Sequence, residues 1–129
     1  MLNTKICIFG CTGLVGSALV RILKDRGFNN LICSSSNELN LINQDDVDNF
    51  FCIYKPEWVF LAAAKVGGIL ANNVYRAEFI YENLQIQNNV IHHSYLNQVK
   101  KLLFLGAFSK QINSLSRYMS MSEFMNANI

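Results

Sequence analysis

Proline is almost missing from this chain: Pro56 is the only one in 129 residues. No proline-rich, repeated or charge-dense stretch marks a linker, so the length reads as one domain. Charge is sparse as well. Asp, Glu, Lys and Arg make up 16% of the residues and leave a net charge of +2, which provides no basic face for nucleic acid. The four cysteines, Cys7, Cys11, Cys33 and Cys52, have spacings that match no zinc pattern, and no metal site is expected. They read as reduced thiols of a cytoplasmic protein, with Cys7 and Cys33 acting as small hydrophobes inside strands. An apolar run over residues 6–23 follows Lys5, but three glycines and Arg21 interrupt it, and no small-residue cleavage pattern comes after. Neither a signal peptide nor a membrane span is expected.

What is present begins with 51% apolar content, enough for a sizeable core. The most informative stretch is Gly10-Cys11-Thr12-Gly13-Leu14-Val15-Gly16. It follows the apolar run Ile6-Cys7-Ile8-Phe9 and opens a segment with helical spacing, Leu14, Leu19, Val20, Ile22 and Leu23. Strand, glycine loop and helix together form the context of a dinucleotide-binding fingerprint. Gly10 allows a tight exit from the strand, Gly13 lets backbone approach a pyrophosphate, and Gly16 lets helix and strand pack closely. Thr12, Leu14 and Val15 belong to the same candidate site, because a helix start offers unpaired N–H groups and partial positive charge to phosphates. The GxxGxxG spacing is the variant seen in extended short-chain dehydrogenase/reductases.

Taken in order, the chain predicts strands over 5–9, 31–33, 58–61 and 101–106. Helices are expected over 14–25, from about 45 to 54, and over 76–97. Gly27 is expected to cap the first helix in a left-handed conformation, and Asp45 to cap the second. The alternation is that of a parallel α/β sheet, the N-terminal half of a doubly wound Rossmann fold. The expected strand order is 3-2-1-4, with a ligand at the carboxyl ends between strands 1 and 4. Ser34-Ser35-Ser36-Asn37 follows strand 2 where an NAD enzyme carries an acid for the ribose; no acid sits there, and Glu38 comes slightly later. Cofactor choice therefore leans to NADP, with NAD left open. Ala62-Ala63-Ala64 ends strand 3 with small residues, suited either to tight packing or to a flat ligand. Helix 76–97 carries two apolar stripes, one of Ile80, Leu84, Ile91 and Tyr95, the other of Phe79, Ile86 and Val90. One stripe suffices for the sheet, so the other is available to a second subunit. His92 and His93 point about 100° apart on this helix, which suits structural or surface roles rather than one shared metal.

Several stretches resemble the GDP-L-fucose synthase family of extended reductases. They are 10–17, Glu38-Leu39-Asn40-Leu41, Leu61-Ala62-Ala63-Ala64-Lys65-Val66-Gly67-Gly68-Ile69, Ala71-Asn72-Asn73, Phe79-Ile80-Tyr81-Glu82-Asn83 and Val99-Lys100-Lys101-Leu102-Leu103-Phe104-Leu105-Gly106. The resemblance covers residues 3–106 in one register. It implies an NADPH-dependent epimerase/reductase acting on GDP-4-keto-6-deoxy-mannose, with the cofactor supplying the hydride. It also implies a cofactor site. Gly10, Gly13 and Gly16 would hold the pyrophosphate, Asn40 and Leu41 the adenine side, Ala62, Ala63 and Ala64 the central portion, with Leu105 and Gly106 at the end of strand 4. Thr12 and Ser36 stand where the family has arginines for the 2′-phosphate, which implies weakened NADP binding.

The resemblance stops after Gly106. The family continues with Ser-Ser-Cys-Ile-Tyr-Pro and then a Tyr-x-x-x-Lys pair, in which the lysine lowers the pKa of a proton-donating tyrosine. This chain instead reads Ala107-Phe108-Ser109-Lys110-Gln111-Ile112-Asn113, and Tyr118 is followed by Ser122 where lysine belongs. Ser109 and Ser116 are the candidate substitutes for the missing serine, and no catalytic residue is assigned. Residues 1–106 read as an incomplete dinucleotide-binding domain and 107–129 as a divergent tail without a substrate domain. A deletion or frame change near Gly106 would explain the break. Three readings stand: an active epimerase/reductase, a non-catalytic nucleotide-binding remnant, or a truncated half of a split enzyme needing a complementing chain. A homodimer through helix 76–97 is the other expected partnership, alongside the nicotinamide dinucleotide; nucleic acid and membrane are not expected partners.

Overall fold

The computed structural model describes residues 2–34, 38–63 and 76–104. In order these form β1 (Ile6–Phe9), α1 (Leu14–Asp25), β2 (Leu31–Ser34), α2 (Gln44–Tyr54), β3 (Trp58–Leu61), α3 (Arg76–Leu96) and β4 (Lys101–Phe104). All the strand pairs are parallel, as the unbroken apolar runs of β1 and β3 predict for strands covered on both faces.

The two faces of the sheet have separate cores. Cys7, Phe9, Val59, Leu61 and Phe104 meet Val47, Phe50 and Phe51 of α2 and Ile86 and Val90 of α3. Ile6, Ile8, Trp58, Phe60 and Leu103 meet Leu19 and Leu23 of α1. Aromatic rings anchor each side: Phe9 lies 5.3 Å from Phe50, and Phe28 lies 5.7 Å from Trp58.

The strand order is β2-β1-β3-β4, which corrects the expected 3-2-1-4. The reason is the face on which α2 lies. A right-handed crossover ties the direction of travel across the sheet to the face its helix covers. With α1 on one face and α2 on the other, the chain moves outward from β1 to β2 and then reverses, passing β1 to place β3 on its far side. α3 shares the face of α2, so β4 continues beyond β3. The switch point, where ligands bind in such sheets, therefore lies between β1 and β3 and not between β1 and β4.

Helix ends explain the loops. Gly27 has φ +93°, and its N–H donates to the Lys24 carbonyl while that of Phe28 donates to Leu23, both at 3.0 Å. This left-handed cap turns the chain so that Phe28 enters the core. The cap of α2 is Asn43 rather than the expected Asp45: Asn43 Oδ1 accepts from the Asp46 N–H at 3.1 Å. Asp45 and Asp46 lie in the first turn, where their charge complements the helix dipole. Among the described residues, no helix is long and apolar enough to cross a membrane.

Candidate functional site

β1 delivers its last residue, Phe9, to the middle of the sheet, and the chain must then leave the strand without obstructing β3. Gly10 does this at φ +86°. Its carbonyl accepts the Gly13 N–H at 3.1 Å, closing the turn. The neighbouring strand is very near: a Cβ on Gly10 would lie 2.7 Å from the Ala63 nitrogen and 2.8 Å from the Ala62 carbonyl carbon. The Ala62 N–H also donates to the Phe9 carbonyl at 2.9 Å. The loop after β1 and the small residues after β3 thus meet backbone to backbone at the switch point. Gly16 closes the third side. A Cβ there would collide with the Gly10 carbonyl oxygen and come within 2.9 Å of Cys11 Cα. The backbones approach so closely that only hydrogen fits at Gly10 and Gly16.

Gly13 is the N-cap of α1 and offers no side-chain hydrogen bond, and the first turn holds no acidic residue. The Ser17 N–H reaches the Gly13 carbonyl at 2.9 Å, so the first amides of the helix point out of the turn without an intrahelical acceptor. α2 is the contrast, with Asn43 over its amides and two carboxylates in its first turn. The start of α1 is left open to an anion, whereas that of α2 is already filled. Thr12, Leu14 and Val15 are exposed around this opening.

Asn40 and Leu41 sit between β2 and α2, at the same carboxyl edge of the sheet. Asn40 Oδ1 accepts from the Ile42 N–H and its carbonyl accepts from the Asn43 N–H, both at 3.1 Å. The loop is further held by a residue that sequence reasoning missed. Asn89 on α3 is buried and donates through Nδ2 to the carbonyls of Leu41 at 2.8 Å and Ile42 at 3.0 Å. The signal was there: Ile86, Asn89, Val90 and His93 follow the i, i+3, i+4, i+7 spacing of a buried face, and two of them are polar. His93 is buried with Nδ1 3.4 Å from Asp48 Oδ1 and its ring stacked on Phe51, which bears out a structural role. Among the described residues no three His, Cys, Asp or Glu side chains gather to hold a metal.

Of the expected site residues, Gly10, Gly13, Gly16, Ala62 and Ala63 come together directly, with Thr12, Leu14 and Val15 at their rim. Asn40 and Leu41 share the edge. Ser36, Ala64, Leu105 and Gly106 lie outside the described residues, as do Ser109, Ser116, Tyr118 and Ser122. All four cysteines are free, and Cys7 is buried as expected. Cys33 is not: β2 is a sheet edge, and Cys33 is exposed there rather than acting as a core hydrophobe.

The comparisons with known proteins agree with this geometry. A putative GDP-L-fucose synthase 2 of Arabidopsis thaliana is 59% identical over 105 residues, which are 81% of this chain and 32% of that protein. The GDP-L-fucose synthase of Escherichia coli is 48% identical over 107 residues, 83% of this chain and 33% of that one. Among solved structures, a GDP-mannoheptose C4 reductase from Campylobacter jejuni with NADP bound superposes with a TM-score of 0.78 at 56% identity, covering 82% of this chain and 31% of its own. The chain spans about a third of the length of these relatives. Residues 6–116 match the NAD dependent epimerase/dehydratase family, and with a glycine loop seated at the switch point of a parallel sheet, the chain belongs to that family.

Proposed function

We propose that this chain is the dinucleotide-binding segment of an NADP-dependent GDP-sugar epimerase/reductase of the GDP-L-fucose synthase type, and that it binds the dinucleotide without completing the reaction alone. The observation that carries the reading is the β1–β3 crevice: Gly10 and Gly16 leave room for nothing but backbone, beside a helix start with no side-chain cap and no acid. Such a cradle fits a pyrophosphate in shape and in charge. Gly10, Gly13 and Gly16, with the amides of Thr12, Leu14 and Val15, hold it. Ala62, Ala63 and Ala64 admit the central portion, Leu105 and Gly106 flank it, and Ser36, Asn40 and Leu41 take the adenine side. When bound, the dinucleotide supplies a hydride.

NADP is favoured over NAD because no acid occupies the position after β2 that would repel a 2′-phosphate. Binding is weak, since Thr12 and Ser36 replace the charged contacts that hold such a phosphate tightly. We assign residues 1–106 to the binding unit and 107–129 to a tail without catalytic residues. The lack of a Tyr-x-x-x-Lys pair in the sequence supports the loss of turnover. The protein works in the cytoplasm, in keeping with its exposed free thiols. It pairs through α3 with a second copy or a complementing chain, because Ile80, Leu84, Ile91 and Tyr95 line that helix exposed.

Titration of the purified chain with NADPH and with NADH, followed by nicotinamide fluorescence and thermal shift, tests the reading. A stronger response to NADPH is expected; no response to either at millimolar concentration overturns it. No consumption of NADPH above background is expected with GDP-4-keto-6-deoxy-mannose.

A further inference from the structure

β1 and β2 run in register with Ile8 opposite Cys33. Side chains alternate across a sheet, and Leu31 packs into the α1-side core while Ile32 packs into the opposite one. Cys33 therefore projects to the α1 side. Cys11, in the glycine loop, packs against that same α1-side core. The two thiols are neighbours there, near enough for Cys11 to raise the pKa of the Cys33 thiol. Cys33 is exposed and Cys11 partly so, which leaves the pair open to small solutes. Cys7 is sealed in the core on the other face, and Cys52 belongs to α2.

We propose that Cys11 and Cys33 form a redox-sensitive thiol pair, oxidised by hydrogen peroxide to an intramolecular disulfide that ties the glycine loop to the β2 edge and closes the dinucleotide site. The closure rests on the dinucleotide reading above; the disulfide does not. Cys33 keeps its proton, because partial burial of its sulfur first and the neighbouring Cys11 thiol second push it up to about 11. Cys11 is thus the attacking sulfur. It attacks a peroxide oxygen, the O–O bond breaks and one water leaves, giving a sulfenic acid. Cys33 then attacks that sulfur, the S–O bond breaks and a second water leaves. The thiols lose two electrons and the peroxide gains them; a dithiol reductant reverses the step by exchange. An S–S bond holds two sulfurs about 2 Å apart, closer than unbonded thiols can lie. The Cys11 backbone is wedged against Gly16, so this pull moves the loop that Gly10, Gly13 and Gly16 hold open.

The test treats the full chain with hydrogen peroxide, blocks remaining thiols and reads tryptic peptides by mass spectrometry. The peptide holding Cys11 is expected joined to the one holding Cys33, lighter by two hydrogens and released by dithiothreitol. Cys11→Ser and Cys33→Ser each remove the link, and Cys52→Ser keeps it, which separates Cys33 from Cys52 in their shared peptide. NADPH affinity of the linked form is expected to fall by about tenfold or more and to return on reduction. Absence of the link, or its replacement by links between chains, overturns the pair. A link that leaves NADPH affinity unchanged overturns the closure. Failure of the reduced chain to bind NADPH would instead count against the dinucleotide reading, with the pair still decided by the peptide masses.

Discussion

Gly16, in the first turn of α1, lies against the Gly10 carbonyl, and no rotamer can relieve a clash between a Cβ and backbone. Gly16→Ala is therefore expected to destabilise the chain by about 1–3 kcal/mol, the usual range for overpacking. Urea unfolding measures this, and the same variant should show no NADPH response at concentrations where the parent responds. Cys33 makes the second prediction at this scale. Its folded-state thiol titrates near 11 against an ordinary value of 9.0. The protonated thiol is the favoured form in the fold, so its contribution to stability is full below pH 9 and is lost as pH rises toward 11. Urea midpoints should decline across that window, and Cys33→Ser should flatten the decline. Alkylation of Cys33 should likewise accelerate only as pH approaches 11.

At the scale of elements, the two helix starts have opposite designs. Leu14 in the first turn of α1 is 88% exposed, so replacing it removes little packing. An acid there meets the positive end of the helix. Leu14→Asp should raise stability by about 0.3–1 kcal/mol through the dipole. It should also weaken NADPH binding, since the carboxylate competes with the phosphates for the same amides. A gain in thermal midpoint with unchanged NADPH affinity would show that the opening of α1 does not receive the pyrophosphate. Element types and extents were legible in the residues, because each strand is an apolar run and each helix repeats its apolar positions near 3.6. The cap of α2 was not. Asn43, Asp45 and Asp46 are all suitable acceptors, and the choice falls to Asn43 only because Val47, Phe50 and Phe51 must face the sheet. Strand order escaped for a related reason. Handedness links face to direction, yet α1 and α2 both carry an apolar stripe that fits either face, and only the assembled cores distinguish them. The glycine cradle was legible as a motif, but its partner strand was not: the approach of Gly10 to Ala62 and Ala63 exists only in the observed order.

At the scale of the whole molecule, α3 turns an apolar stripe of Ile80, Leu84, Ile91 and Tyr95 outward, Tyr95 being 80% exposed. Such a stripe favours association. Light scattering should show mass rising with concentration, and Ile91→Glu combined with Tyr95→Glu should return the chain toward the monomer. If the double variant associates as the parent does, the stripe is not the contact.

The position of β1 between β2 and β3 has one more consequence, for the time order of folding. Each neighbour reaches β1 only through a complete crossover, and the second must also travel past β1 itself. Contacts so distant along the chain form slowly. While the protein is being synthesised, the β3-side flank of β1 stays unpaired until Leu61 has emerged.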